Sequence, residues 1–592
     1  MATSDNTISE EGPTALSSPS TKRSFRFWGI FAALCLLSFI SALDVAIITT
    51  ALPSIVADIG GATQYIWIAN SFTVSSSVLQ PLWGQLANIL GRRIPFIAAT
   101  ALFTLGSGIG GGAKSPAMLI SGRAIQGVGA GGVYLLLSIV CCDLVPLRER
   151  GKYLGLMNAW AGVAAALGPV VGGAIAQTNW RWIFYLNVRT RHLVPLLPFR
   201  PNTHQIPICG VALGMLFLFM HMKTGTANKA QPAKLSSKWA RVKELDWLGN
   251  LIFTPSMISL LLGLIMGGVQ YPWSSWHVVV PLVLGCVGWL AFHIQQHFAT
   301  NPSIPERIFG NRTSATAFLL TFLSSVLVQA QSYFLPLYFQ AARGTTILHS
   351  GTNFLPFAIG TLTFAATAGV LLSKFGAYRP LHAAAFALST IGFGLFTLLS
   401  GSTAKGAWVV FQLIASAGSG MILSTLLPAI LAGLPESDVA SASAAFAFTK
   451  TFGYTWGVTI ASIIFNSVFD ANLSVISSPT LQNTLRGGGA YAFASQMHTL
   501  RRTQTIEIWK ELVFVYCKSL RAIWWVGLGI SIVGFFAVGL ERGLELRNTL
   551  ETKYGIDDGN TLNRSSKEGR ELNENAVEES KNTGNARGTD SH

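Results

Sequence analysis

Apolar residues occupy this chain in long unbroken blocks parted by short polar turns, with no period-two alternation. A helix needs about 20 apolar residues to cross a bilayer. Fourteen blocks meet or approach that length, near 28–48, 65–86, 94–112, 117–140, 155–177, 206–222, 247–268, 278–297, 316–340, 351–372, 381–400, 407–431, 443–466 and 521–540. Continuous apolarity predicts helices and argues against the strands of a membrane barrel. The expected fold class is all-α integral membrane, with 14 transmembrane helices. Residues 1–27 and 541–592 are polar, poor in large apolar side chains, and read as disordered ends.

Composition agrees. Only 11% of the 592 residues are charged, against about a quarter in soluble domains. A net charge of +15 would point to nucleic acid in a soluble protein. Here much of it lies in loops, where lysine and arginine set orientation, so no nucleic-acid partner is expected. With the N-terminus inside, the inner segments hold Arg92 and Arg93, Arg148, Arg150 and Lys152, Arg307 and Arg312, and Lys374 and Arg379, whereas the first outer loop has none. The even count then leaves both ends in the cytoplasm. The expected location is the plasma membrane, with a vacuolar or vesicle membrane as the alternative. Six scattered cysteines show no metal spacing and no disulfide framework. There is no phosphate-binding loop and no catalytic cluster, so no cofactor, no metal and no enzymatic activity are expected.

A repeat divides the chain. Gly84 and Gly91 lie seven apart at the exit of span 2, before Arg92-Arg93. Gly369 and Gly376 lie seven apart at the exit of span 10, before Arg379. Spans 1–6 and 9–14 thus read as two six-helix bundles with spans 7 and 8 inserted, a parallel-repeat transporter plan with a site between the halves. The domains expected are 28–222, a linker with the inserted pair over 223–315, and 316–540.

Ionisable groups within spans are costly and mark function. Asp44 in span 1 is a candidate proton site, because a partly desolvated carboxylate can exchange protons near neutral pH; the alternative is a structural acid bonded to Ser and Thr. Arg123 in span 4 cannot lose its proton, so it acts on a neighbour or binds backbone carbonyls. Gly168, Gly172 and Gly173 let span 5 approach a partner closely, and Pro169 permits a bend. Gln126, Tyr134, Trp160, Phe334, Gln340, Gln412 and the intramembrane Lys450 are candidates to line a cavity for a bulky, mostly apolar ligand. Asn472 opens an outer Asn-Leu-Ser sequon.

The loop Gly84 to Arg93, Leu43-Asp44-Val45 with Ala51-Leu52-Pro53, Arg123 to Gly127, Gly168-Pro169 with Gly172-Gly173, and Trp180 to Asn187 fall in order on successive spans. Together they resemble the major facilitator superfamily, specifically its fourteen-span drug:proton antiporter branch in fungi. The resemblance implies a monomeric, proton-coupled efflux transporter for a drug or fungal secondary metabolite. Its partners would be a small amphiphilic substrate, protons and the lipid bilayer. It places Arg123 in proton coupling, the Gly84–Arg93 loop at a gate, and Gly168-Pro169 in an antiporter helix. A vacuolar basic-amino-acid carrier is the alternative; a receptor or membrane enzyme fits less well. Two departures stand out. Asn88 replaces the acid usual in the family, which predicts a weaker latch. Residues 188–205 interrupt the path from Asn187 to Pro207. Their flanking codons and length suit a retained intron, the alternative being a true loop insertion.

Overall fold

The computed structural model describes residues 24–59, 65–188, four positions between 211 and 218, 244–268, 271–503 and 505–547. The rest of span 6, the insertion at 188–205 beyond its first residue, and both chain ends lie outside the described residues. Within them the chain is helical at every other predicted span. Among the described residues, ten helices are long and apolar enough to cross a membrane.

Helix α1 covers Phe25–Ile59, longer than the apolar block because helix formation continues past the hydrophobic stretch. Span 2 is two helices, α2 Tyr65–Val78 and α3 Gln80–Leu90. Pro81, in the first turn of α3, has no N–H and crowds the preceding turn, which places the break at Leu79. There follow α4 Arg93–Gly111, α5 Pro116–Leu144, α6 Leu147–Thr178 and the short α7 Arg181–Val188. Ser115 starts α5 by accepting from Met118 N–H, with Pro116 preset at the first helical position. The inserted pair is α8 Trp247–Met266, capped by Asp246, and α9 Trp276–Phe298. The second half comprises α10 Arg312–Ala341, α11 Ile347–Phe375, α12 Tyr378–Phe396, α13 Lys405–Ala432 and α14 Val439–Ala471.

Two expectations need correction. The stretch 467–520, read as a loop, folds into α15 Pro479–Leu485, α16 Gly489–Phe493 and α17 Met497–Thr503, and the last long helix, α18, begins at Ile506 rather than 521. Tyr516 Oη donates to Ala490 O at 2.6 Å, so this cap is tied to α18. Residues 541–547, expected to be disordered, are placed across the end of the bundle by hydrogen bonds described below.

In the first half α1 packs on α6, and α5 packs on α2 and α4. Glycines allow those contacts: a Cβ on Gly131 would stand 2.1 Å from Ser76 O, and one on Gly129 2.3 Å from Phe103 N. In the second half α13 packs on α11 and α12, α10 on α14, and α12 on α18. The halves meet along α6 with α11 and α3 with α14. Helix α8 touches both α2 and α14, and Phe253 bridges from Phe292 at 4.8 Å to Phe448 at 5.1 Å between ring centroids.

The repeat has a geometric counterpart. Gly84 leaves room for Ala444 of α14, and Gly369 leaves room for Gly151 of α6, at 2.7 and 2.4 Å from a notional Cβ. Each is thus the close-approach glycine of one half against the other. Gly91 and Gly376, seven residues on, adopt φ +81° and +70°, a region that favours glycine.

Candidate functional site: a buried charge pair and an inner gate

"Inner" denotes the end of the bundle where α1 begins. Toward the outer end of α1 and α5, Arg123 Nη1 donates to Asp44 Oδ2 at 2.7 Å, and both side chains are 1% exposed. Gln126, one turn after Arg123, joins them. Its carbonyl accepts from Arg123 Nη1 at 2.7 Å, while its amide donates to Asp44 Oδ1 at 2.8 Å and to Ser107 Oγ at 2.8 Å. Gly106 admits this packing, since a Cβ there would lie 2.3 Å from Gln126 N. The guanidinium also covers the Phe72 ring at 4.3 Å. Residues of α1 and α5 thus form a buried network, with Ser107 of α4 and Phe72 of α2 packed on it. Breaking a buried pair from one side leaves an uncompensated charge, so protonation of Asp44 changes the bonding of Arg123 and Gln126 together.

The inner ends of the halves are bonded shut. Arg92 donates to Asp143 at 2.7 Å and to Ala87 O at 2.7 Å, fixing the α3–α4 turn against the end of α5. Asn88 stands between the halves: its amide donates to Ser441 Oγ of α14, and its carbonyl accepts from Arg92, both at 3.4 Å. Arg93, half-buried, opens α4. Arg148 donates to the carbonyls of Ser373 and Lys374 at 2.8 and 2.7 Å, across to α11. Arg150, fully buried, donates to both oxygens of Glu436 at 3.1 and 3.0 Å. The segment 541–547 finishes this gate. Glu541 pairs with His382 at 3.0 Å, Arg542 N–H donates to Thr313 at 3.1 Å, and Arg547 donates to Leu434 O at 2.7 Å, 3.7 Å from Glu436. Arg547 O accepts from Arg148 N–H of the other half at 3.3 Å.

Two changes probe the gate. Asn88→Asp places a carboxylate beside the first turn of α14 and beside Arg92, and is expected to stabilise the inner-closed state by up to ~1 kcal/mol. Inner-side labelling of a cysteine placed at Ala444 should fall; a rise in labelling refutes the latch. Arg547→Ala removes the strap's last anchor, a charge-assisted bond worth about 1.5 kcal/mol. The same labelling should then increase, and unchanged labelling would show that the strap is inert.

At the outer end, Asp58 accepts from Trp180 Nε1 at 2.9 Å and from Arg181 at 2.7 Å. Those bonds hold its carboxyl below the usual carboxylate range. The tie is present at neutral pH and is lost as pH falls through that lowered value. This explains the Trp180-Arg181 pair as a staple of α1 to α7.

The other predicted residues divide. Tyr134 and Lys450 are half-buried on α5 and α14, and Trp160 is 48% exposed beside Phe39. Phe334 is not at a cavity surface: it is fully buried against Phe465 and Tyr491. Gln126 belongs to the charge network rather than to a cavity wall. Gln412 is buried and donates to Asn353 O, tying α13 to α11, and Gln340 bonds Ser350 near the outer end of α10. The glycines of span 5 do not serve one partner. Gly162 accommodates Leu362 of α11, but Gly168 accommodates Ala46 of α1 within its own half, and Gly172 is buried. Helix α6 runs through Pro169 and Gly173 without interruption. Asn472 donates to Val468 O at 2.6 Å and accepts from Lys518 at 2.7 Å, which occupies both ends of the amide that a glycan would need. Sequence reasoning missed Asp143, Glu436 and Arg547, whose partners lie far away along the chain; their lone signal was a charge abutting an apolar block.

A buried ion pair inside one helical bundle, and an inner gate bonded between that bundle and a second, fit a multi-pass membrane transporter. The chain belongs to the major facilitator superfamily and, within it, to the fungal efflux-pump family. The model of the Major Facilitator Superfamily matches residues 34–188, ending where the 188–205 segment begins. The chain is 41% identical over 553 residues to the MFS efflux transporter aclA of Aspergillus oryzae, covering 93% of this chain and 95% of that protein. It is 38% identical over 549 residues to the acurin A biosynthesis cluster MFS-type transporter of Aspergillus aculeatus, covering 92% and 95%. Among solved structures, the human organic anion transporter MFSD10 aligns with TM-score 0.53 at 14% identity, covering 86% of this chain and 99% of that one, a likeness of fold alone.

Proposed function

We propose that this protein is a proton-coupled exporter of small amphiphilic secondary metabolites, working by alternating access with 14 spans and both termini in the cytoplasm. The observation that carries the proposal is the Asp44–Arg123–Gln126 network, a protonatable carboxylate locked to a permanent cation inside the bundle. The inner gate is then the cytoplasmic gate, and the state described is closed to the cytoplasm. A proton reaching Asp44 from the outer side neutralises it, releases Arg123 and Gln126, and loosens α1 against α5. Those helices connect through α6 and α3 to the bonds of the gate. Relatives named as an efflux transporter and as part of a biosynthesis cluster support the cargo class. The test is efflux of a fluorescent amphiphile from proteoliposomes carrying an imposed pH gradient. Transport that collapses with a protonophore supports the reading; transport indifferent to the gradient overturns it.

A further inference from the structure

We propose that Lys450 selects for negative charge, so that the cargo of this transporter is an amphiphile bearing a carboxylate or comparably acidic group. This rests on the efflux reading and adds the charge of the substrate to it. Lys450 lies on α14 about 16 Å along the helix from Val439, at 1.5 Å per residue, which is mid-depth in a hydrocarbon core of about 30 Å. At that depth the ammonium is too far from either interface for an easy escape to water.

Among the described residues Lys450 forms no ion pair. Its ammonium lies 5.9 Å from the centre of the Tyr454 ring, one turn further along the same helix. Helix α14 packs against α5 and α2 of the first half. Lys450 and Tyr454, one turn apart and in contact, share one side of α14. The remaining faces of α14 are taken. Gly453 and Gly457 seat Ser325 and Val326 of α10, Phe448 meets Phe253 of the inserted pair, and Ala444 meets Gly84. Asp44 pairs with Arg123 and not with Lys450. The charge pair is internally neutral, and Lys450 adds one uncompensated positive charge.

A half-buried ammonium beside a tyrosine ring is complementary to an acidic head on an apolar body. The tyrosine ring offers apolar surface, its hydroxyl can donate to the same oxygens, and the ammonium supplies the charge-assisted bond. A neutral ligand at this position leaves the cation without a partner, and a cationic one is repelled.

The test is binding to the purified full-length protein of a dansyl-labelled undecanoic acid and of its carboxamide, followed by dansyl fluorescence. The acid is expected to bind about tenfold or more tightly than the amide, the scale of one charge-assisted bond. Lys450→Gln should bring the acid down to the level of the amide, whereas Lys450→Arg should keep the preference. Equal binding of the two probes, a preference that survives Lys450→Gln, or binding of neither probe overturns the assignment. None of these results bears on proton-driven efflux, which the pH-gradient experiment reads separately.

Discussion

Asp44→Asn is expected to abolish proton-driven efflux while the protein remains in the membrane. Asparagine keeps an acceptor for Arg123 and removes the carboxylate proposed as the coupling group. It also leaves Arg123, 1% exposed, without an anion. Breaking a buried pair from one side costs about 3–5 kcal/mol, so some loss of yield is expected as well. The double variant Asp44→Asn with Arg123→Gln separates the two effects. It removes both charges, should recover stability, and should remain uncoupled. Efflux with an unaltered pH dependence in Asp44→Asn, in protein shown to be at the membrane, would rule out this carboxylate as the coupling group.

Arg150→Ala is expected to open the inner gate. The guanidinium is fully buried, grips both oxygens of Glu436 in the other half, and also bonds Val145 O at 3.2 Å. Its loss strands Glu436, leaving Arg547 at 3.7 Å as the remaining cation. Truncating one partner of a buried pair costs about 3–5 kcal/mol. That is enough to move a two-state equilibrium by a hundredfold or more. Inner-side labelling of a cysteine at Ala444 should rise steeply, and export should slow because the outer-open state is no longer held. Labelling equal to that of the parent would show that the gate is carried by the glycine contacts alone. Arg150→Lys tests geometry, since a single ammonium cannot grip two oxygens in parallel.

The sequence showed the helices because crossing a bilayer demands long apolar runs, and such runs stand out in any chain. It gave less at their ends. The cap over 473–503 and the early start of α18 at Ile506 were hidden, because polar, basic residues there resemble a loop until tertiary contacts pair them. The glycine repeat was legible since close approach between helices tolerates no side chain, and Gly84 and Gly369 do make such approaches. The cavity residues were the least legible. An amide or aromatic in an apolar span looks the same whether it lines a cleft, as half-buried Tyr134 can, or fills the core, as Phe334 does.

By itself the sequence determined that this is an all-helical membrane protein, and it carried the glycine repeat at 84/91 and 369/376. It also marked Asp44 and Arg123 as scarce charges within spans, because transfer of charge into hydrocarbon is costly enough to leave few others. The tertiary structure alone decided that these two are bonded to each other at 2.7 Å, that Gln126 completes them, and that Arg148, Arg150, Glu436 and Arg547 form one gate. These partners stand 79 and 286 residues apart in the two main pairs. A one-dimensional pattern records what each residue costs to bury, whereas the partner that offsets that cost is set by how the helices cross.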